Sequence, residues 1–256
     1  MKYEQEFVKM GCFTRDDVCK LTGNNAAAHS LLYDYTKNGL IQRIRRNLYV
    51  AIDSGTGLPV TADRFLIASC ISDDSYVTHH SAFEYYGCYN QVYNWVFTSG
   101  GHYYKPFIYD YTEYHYHVPH IHDGITHEPN GVNVTDLERT VLDGISDFEK
   151  ISGLEELLKC LELVSPLNED KLLKYLALFN RPFLYQKTGF LLAAFKDQLH
   201  LSDEFFKRCQ QQCSSSKRYL ERTVSAYSLQ YDPKWKLYAP DLNKITAKGI
   251  EPDELI

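Results

Sequence analysis

The first 53 residues contain three short helical patterns and then a hairpin pattern, an order that few folds accept. Apolar residues spaced i, i+4, i+7 predict an amphipathic helix over residues 3–10. Thr14 and Asp17 form a capping box, with Phe13 and Val18 placed as a hydrophobic staple around it. A second helix is therefore expected over about 15–21, ending at a glycine.

A third helix is predicted to begin at Asn24 and Asn25, with its apolar side chains following the i, i+3, i+4, i+7 rule. Residues 40–44 and 48–52 follow it and are rich in β-branched and aromatic residues, which is typical of strands. The intervening Arg45-Arg46-Asn47 indicates a turn, since asparagine tolerates a positive φ. Three short helices followed by a basic hairpin predict a winged helix-turn-helix.

Basic charge is concentrated on this module, although the whole chain carries a net charge of −6. Four lysines and arginines fall within residues 37–46, where there is no acid. The second helix of a helix-turn-helix enters the major groove, and a basic hairpin suits phosphates or a narrow minor groove. The residues predicted to contact DNA are Asn24, Asn25, His29, Ser30, Tyr33, Lys37, Arg43, Arg45 and Arg46. The alternative is a solvated basic face on a winged helix that binds protein.

The rest of the chain predicts a larger mixed domain, so the fold class is α+β. The expected division is a winged helix-turn-helix over 1–53, a linker over 54–60, and a domain over 61–256 that ends in a helical portion. Predicted N-caps are Thr61 for a helix over 62–71, Ser81 for a short helix ending at Gly87, and Thr135 for a helix to about residue 145. Strands are predicted over 92–98, 107–118, 132–134 and 235–239, and helices over 153–163, 169–179, 183–199 and 202–213.

Composition excludes some classes of protein. No apolar run approaches the roughly 18 residues of a membrane span, and the first residues lack the apolar core of a signal peptide. The seven cysteines are odd in number and scattered, which favours free thiols in a reducing compartment. We therefore expect a cytoplasmic protein with no membrane association.

Histidines suggest a competing, enzymatic hypothesis. Eight of the ten histidines lie between residues 79 and 127. His115 and His117 would share one strand face, with His120, His122 and a carboxylate of Glu113 or Asp123 as further zinc ligands. The alternative interpretation is a sheet face rich in tyrosine and histidine that forms ordinary hydrogen bonds. The chain has no HExxH, CxxC or glycine-rich phosphate loop, so we expect no enzyme, no metal and no cofactor.

Several segments, in order and spacing, resemble the AbiEi-type antitoxins, the transcriptional regulators of type IV toxin–antitoxin systems. They lie at residues 38–49, 63–68, 76–87, 134–143, 153–157 and 234–240, and the most specific is Val-Thr-Asp-Leu-Glu-Arg-Thr-Val-Leu-Asp at 134–143. The Arg45-Arg46-Asn47 turn departs from the glycine often found there, and the segment 102–122 has no match.

The resemblance implies a repressor of its own operon that binds inverted repeats in operator DNA, as a monomer or weak homo-oligomer that binds cooperatively. It also implies a partner, a nucleotidyltransferase-like toxin counteracted by the C-terminal domain, in a phage-defence setting. Glu138, Arg139 and Asp143 lie about one helical turn apart. They are expected either to face the toxin as a charged patch or, the interpretation we favour, to anchor the helix as a structural ion-pair network.

Overall fold

The protein is described by a computed structural model that covers residues 3–61, 63–221 and 228–248. These residues form a mixed α+β fold, as the sequence predicts. The helices are α1 (Glu4–Met10), α2 (Arg15–Thr22), α3 (Asn25–Lys37), α4 (Arg64–Ser69), α5 (His80–Tyr85), α6 (Leu137–Ser146), α7 (Leu154–Leu163), α8 (Glu169–Phe179), α9 (Pro182–Ala193), α10 (Asp203–Gln211) and α11 (Leu242–Lys248), with a 3-10 turn at Phe148–Ile151. The strands are β1 (Cys12–Thr14), β2 (Ile41–Arg45), β3 (Leu48–Ala51), β4 (Tyr76–Val77), β5 (Trp95–Ser99), β6 (Phe107–Tyr109), β7 (Thr112–Tyr116), β8 (Ile125–His127), β9 (Asn133–Thr135), β10 (Arg218–Tyr219), β11 (Gln230–Asp232) and β12 (Leu237–Ala239).

The chain divides into two compact units whose segments alternate along the sequence. The first unit comprises residues 1–77, 93–119 and 126–134, and the second comprises 78–92, 120–125 and 135–256. The boundaries expected at residues 53 and 61 both fall inside the first unit, and the division into 1–53, 54–60 and 61–256 stays a prediction.

The first three helices of the first unit pack with a small sheet of order β1-β3-β2. The predicted capping box is present, since the Thr14 side chain accepts from the backbone N–H of Asp17 and the Asp17 carboxylate accepts in return. Gly23 ends α2 in the left-handed conformation, with φ of 70°, which glycine adopts without strain. The core beneath these elements consists of Phe7, Phe13, Val18, Ala28, Leu32, Tyr35, Ile41 and Ala51.

A six-stranded mixed sheet of order β6-β7-β5-β4-β9-β8 fills most of the remaining first unit. The single strand predicted over 107–118 is wrong, because β6 and β7 are two antiparallel strands. Asp110 and Tyr111 form the turn between them, with φ of 46° and 60°. A two-residue turn without glycine leaves the alternation of side chains unbroken, so the sequence pattern of a hairpin and of one long strand is the same here.

Three predicted N-caps are wrong by one or two residues. Asp63, rather than Thr61, caps α4 by accepting from two backbone N–H groups, and Ala62 lies outside the described residues. α5 starts one residue before Ser81, which is itself buried, so Ser81 is not a cap. Asp136 caps α6, because the preceding Thr135 belongs to β9 and its hydroxyl pairs with that of Thr140.

The second unit is mainly helical and has a large core to which α5–α11 and strand β12 all contribute. The predicted helix over 183–199 is shorter, since α9 ends at Ala193 and turns follow. A small sheet of order β10-β12-β11 adds two strands that the sequence pattern did not indicate. Among the described residues, no helix has the length and apolarity that crossing a membrane requires.

Candidate nucleic-acid interface

The solvent-facing side of α3 carries polar side chains, as predicted. Ala28, Leu32 and Tyr35 are buried on the inner side of the helix. The exposed residues of α3 are Asn25, Ala26, Ala27, His29, Ser30, Tyr33, Asp34, Thr36 and Lys37. Tyr33 is 63% exposed, a high value for an aromatic side chain. The exposed side of α3 therefore offers hydrogen-bonding groups, the Tyr33 ring, the Lys37 cation and the Asp34 carboxylate to a partner.

Two of the predicted DNA-contacting asparagines also have structural roles. The side-chain oxygen of Asn24 accepts from the backbone N–H groups of Ala26 and Ala27, at 2.7 and 3.3 Å, and caps α3. The side-chain oxygen of Asn25 accepts from the Cys19 thiol at 3.0 Å. The amide NH₂ groups of these two residues are the atoms left to meet a partner.

The predicted hairpin is present and is formed by β2 and β3. Its two-residue turn is Arg46-Asn47, and Asn47 has a φ of 67°, as expected for asparagine in such a turn. The Asn47 side-chain oxygen accepts from the backbone N–H of Arg15 at 3.2 Å, so the turn is tied to the start of α2. The register shifts between Arg43 and Arg45, which indicates a bulge.

The three arginines of the hairpin have different surroundings. Arg43 and Arg46 are exposed. Arg45 is half-buried in the last position of β2, and its guanidinium carbon lies 4.9 Å from the ring centre of Tyr104 and 4.7 Å from that of Phe107. Burial lowers the pKa of the Arg45 guanidinium from its usual value. Aromatic rings of the same unit therefore hold the Arg45 side chain, and its predicted contact with DNA stays a prediction.

Glu138, Arg139 and Asp143 lie on α6 and are all largely buried. Arg139 Nε donates to Asp143 Oδ1 at 2.9 Å, and Arg139 Nη1 donates to the backbone oxygens of Ile121 and Asp123. Asp143 Oδ2 also accepts from the hydroxyl of Thr78 at 3.0 Å.

In the first turn of α6, Glu138 accepts from the backbone N–H of Asn168 and from Lys171 Nζ, at 2.9 and 3.2 Å. The three charged residues of α6 thus bind elements of the second unit to one another. This geometry fits the structural interpretation of the motif and leaves Arg139 and Asp143 without an exposed face.

The histidine-rich segment forms separate pairs. His115 lies 3.4 Å from Glu113, and His120 lies 3.1 Å from Asp147. Among the described residues, no three members of the predicted ligand set of Glu113, His115, His117, His120, His122 and Asp123 have donor atoms within 4.8 Å of one another. The predicted zinc site made of these residues is therefore not assembled in the structure.

A different buried group in the second unit does bring three potential ligands together, namely His80, Glu156 and Cys160, with donor atoms within 4.8 Å. Glu156 Oε1 is 3.2 Å from His80 Nε2 and accepts from the backbone N–H groups of Asn90 and Gln91, each at 3.2 Å. Burial, followed by the nearby Glu156 charge, raises the pKa of the Cys160 thiol. Glu156 therefore acts as an anchor for the 90–91 backbone, a link between distant residues that no local pattern could reveal.

Comparisons with known proteins extend the fold assignment. No protein-family profile and no curated protein matches this chain. Among solved structures, the chain is similar to the RV2827C protein from Mycobacterium tuberculosis, with a TM-score of 0.62 and 14% sequence identity. The alignment covers 94% of this chain and 90% of that protein. At this identity the likeness extends to the fold alone.

Proposed function

We propose that residues 1–53 are a winged helix-turn-helix that binds operator DNA and represses the chain's own operon. The observation that carries the proposal is the exposed polar face of α3, followed in the chain by a hairpin with exposed Arg43 and Arg46. An α-helix with its side chains is about 10–12 Å wide and the major groove of B-DNA about 12 Å, so α3 has the right size to enter it.

Each element has a distinct role in this proposal. Asn25, His29 and Ser30 lie in the N-terminal half of α3, the part of a recognition helix that meets base edges. Tyr33 and Lys37 lie towards its C-terminal end and contact phosphates. Arg43 and Arg46 contact phosphates or the minor groove from the hairpin. Arg45 fixes the hairpin against Tyr104 and Phe107 and has no DNA contact.

The second part of the proposal is an antitoxin role for residues 61–256, and it rests on the resemblance to the AbiEi-type antitoxins. The partner would be a nucleotidyltransferase-like toxin encoded beside this gene, in the cytoplasm, with no enzymatic activity in this chain. Because Arg139 and Asp143 are buried, the proposal gives the α6 motif a structural role and assigns toxin contact to other residues.

DNA binding is tested by fluorescence anisotropy of the full chain on a labelled duplex from its own upstream region, beside an unrelated duplex. We expect tighter binding to the upstream duplex, and a loss of about tenfold or more in the variant Arg43→Ala/Arg46→Ala, since each removed phosphate contact weakens binding. The matched control is Lys207→Ala/Arg208→Ala on exposed positions of α10, which removes the same charge. Equal losses in both variants, or no preference for the upstream duplex, would contradict the proposal.

The antitoxin role is tested by co-expression with the neighbouring toxin gene from an independent promoter. We expect growth to be rescued by the wild-type chain and by Arg43→Ala/Arg46→Ala, because the DNA-contacting arginines have no part in neutralisation. Absence of rescue by the wild-type chain would remove the antitoxin half of the proposal and leave the repressor half standing.

A further inference from the structure

Three tyrosines stand side by side on the small sheet of the second unit. In the strand register, Tyr219 of β10 and Tyr231 of β11 each lie directly opposite Tyr238 of β12. Residues directly opposite one another on neighbouring strands point to the same side of a sheet. The rings are in contact, with centroids 4.9 Å apart for Tyr219 and Tyr238 and 5.0 Å apart for Tyr231 and Tyr238. We call these three residues the tyrosine row.

The two sides of this sheet differ sharply in burial. Leu237 and Ala239, which flank Tyr238 in β12, are buried in the core of the second unit. Tyr219 is 58% exposed and Tyr231 is 37% exposed. A contiguous exposed aromatic surface on a folded protein indicates a binding site more often than an isolated exposed ring does.

One cation lies directly on the tyrosine row, since Lys217 Nζ is 4.8 Å from the ring centre of Tyr231. Arg218 and Lys234 are also exposed but lie over other rings, those of Phe183 and Trp235. Residues 214–221 and 228–240 contain four basic and two acidic residues, in a chain whose net charge is −6. Of the two acids, Asp232 accepts from the backbone N–H of Trp235 at 2.9 Å, and burial raises the pKa of Glu221.

We propose that the tyrosine row binds single-stranded nucleic acid, a function separate from the binding of duplex operator DNA by α3. Unpaired bases stack on aromatic side chains, and the phosphates between them pair with lysine and arginine at the border of the aromatic surface. Tyr219 is on an edge strand and is the most exposed ring of the row, so it offers the first stacking position. Lys217 supplies the phosphate contact.

A single strand fits this surface better than a duplex or a protein partner does. The bases of a duplex are stacked on one another and present only their edges, so they cannot lie against the rings of a sheet surface. A protein interface excludes charge from its centre, whereas Lys217 lies over a ring of the row itself. Single-stranded RNA and DNA share the required chemistry, and the 2′-hydroxyl is the group that would distinguish them.

The test uses the full chain and fluorescein-labelled U-rich RNA and T-rich DNA of about 12 nucleotides, a length within the range of known single-strand sites. We expect wild-type binding that weakens with salt, and a loss of about tenfold in Tyr219→Leu, which keeps apolar volume but removes the ring. Tyr219→Phe should bind like the wild type. The matched control is Tyr103→Leu, at a tyrosine of the first unit that is 70% exposed, and it should have no effect.

Two further variants separate this site from the proposed operator site. Arg43→Ala/Arg46→Ala should retain single-strand binding, whereas Lys217→Gln should lose affinity and salt dependence. Tighter binding of one labelled strand identifies RNA or DNA as the ligand. The proposal is overturned if neither strand binds, if Tyr219→Leu and Tyr103→Leu behave alike, or if Arg43→Ala/Arg46→Ala abolishes single-strand binding.

Discussion

Arg139 is a cation whose charge is neutralised almost entirely inside the protein. It is 1% exposed, donates to the carboxylate of Asp143 and to two backbone oxygens, and lies near the Phe179 ring. Replacing it with methionine leaves Asp143 buried without its cation. Removing one partner of a buried pair costs about 3–5 kcal/mol. We therefore expect Arg139→Met to lower the free energy of unfolding by about that amount in urea denaturation.

The control for this prediction is Arg208→Met, at an arginine that pairs with Glu204 at 3.5 Å on the exposed side of α10. Exposed pairs of this kind contribute about 0.5 kcal/mol or less. If the two variants unfold at the same urea concentration, the buried network around Asp143 does not stabilise the second unit as described.

At the residue scale, the sequence predicted where basic side chains cluster, but it did not predict which other side chains each of them contacts. The basic cluster at residues 37–46 was visible without a structure, and Lys37, Arg43 and Arg46 are indeed exposed. Arg45 differs from its neighbours only through Tyr104 and Phe107, which are distant in sequence. The same limit applies to His80 and Glu156, whose contact joins α5 to α7.

At the scale of elements, α9 meets the core through a glycine. A Cβ atom built on Gly189 would lie 2.1 Å from ring atoms of Trp235, so the helix and the indole approach more closely than alanine allows. Glycine within a helix normally destabilises it by about 1 kcal/mol relative to alanine. Here we expect the opposite sign, with Gly189→Ala lowering stability by about 1–3 kcal/mol through overpacking.

Thermal unfolding followed by circular dichroism measures this effect. Ala177→Gly, at an exposed position of α8, is the control for helix propensity and should lower stability by about 1 kcal/mol. A higher melting temperature for Gly189→Ala than for the wild type would contradict the close packing of α9 on Trp235.

The positions and N-termini of helices were predictable from the sequence where interactions between neighbouring residues determine them. The capping box of Thr14 and Asp17 correctly located α2, because both partners lie in one turn. Asp63 and Asp136 are the N-caps of α4 and α6, whereas the sequence pattern predicted a threonine one or two residues earlier. Threonine and aspartate can both cap a helix, so only the tertiary structure selects between them. The strands β10 and β11 were missed because each is too short to produce an alternating pattern.

At the scale of the whole molecule, the α+β class followed from the mixture of local patterns, but the arrangement of the two units did not. Residues 78–92 and 120–125 belong to the second unit although both of their flanking segments belong to the first. This alternation depends on strand pairings between residues far apart in sequence, such as Val77 with Val134. Patterns among neighbouring residues do not predict such pairings.

The central claim, that α3 and the β2–β3 hairpin contact duplex DNA, is tested most directly by the salt dependence of binding to the upstream duplex. Each phosphate contact contributes about 0.9 to the slope of log affinity against log salt concentration. We predict that Arg46→Ala lowers this slope by about one, while Arg45→Met leaves it unchanged because Arg45 is held by aromatic rings. A slope that is equal in wild type and Arg46→Ala, or that falls in Arg45→Met instead, would contradict the account.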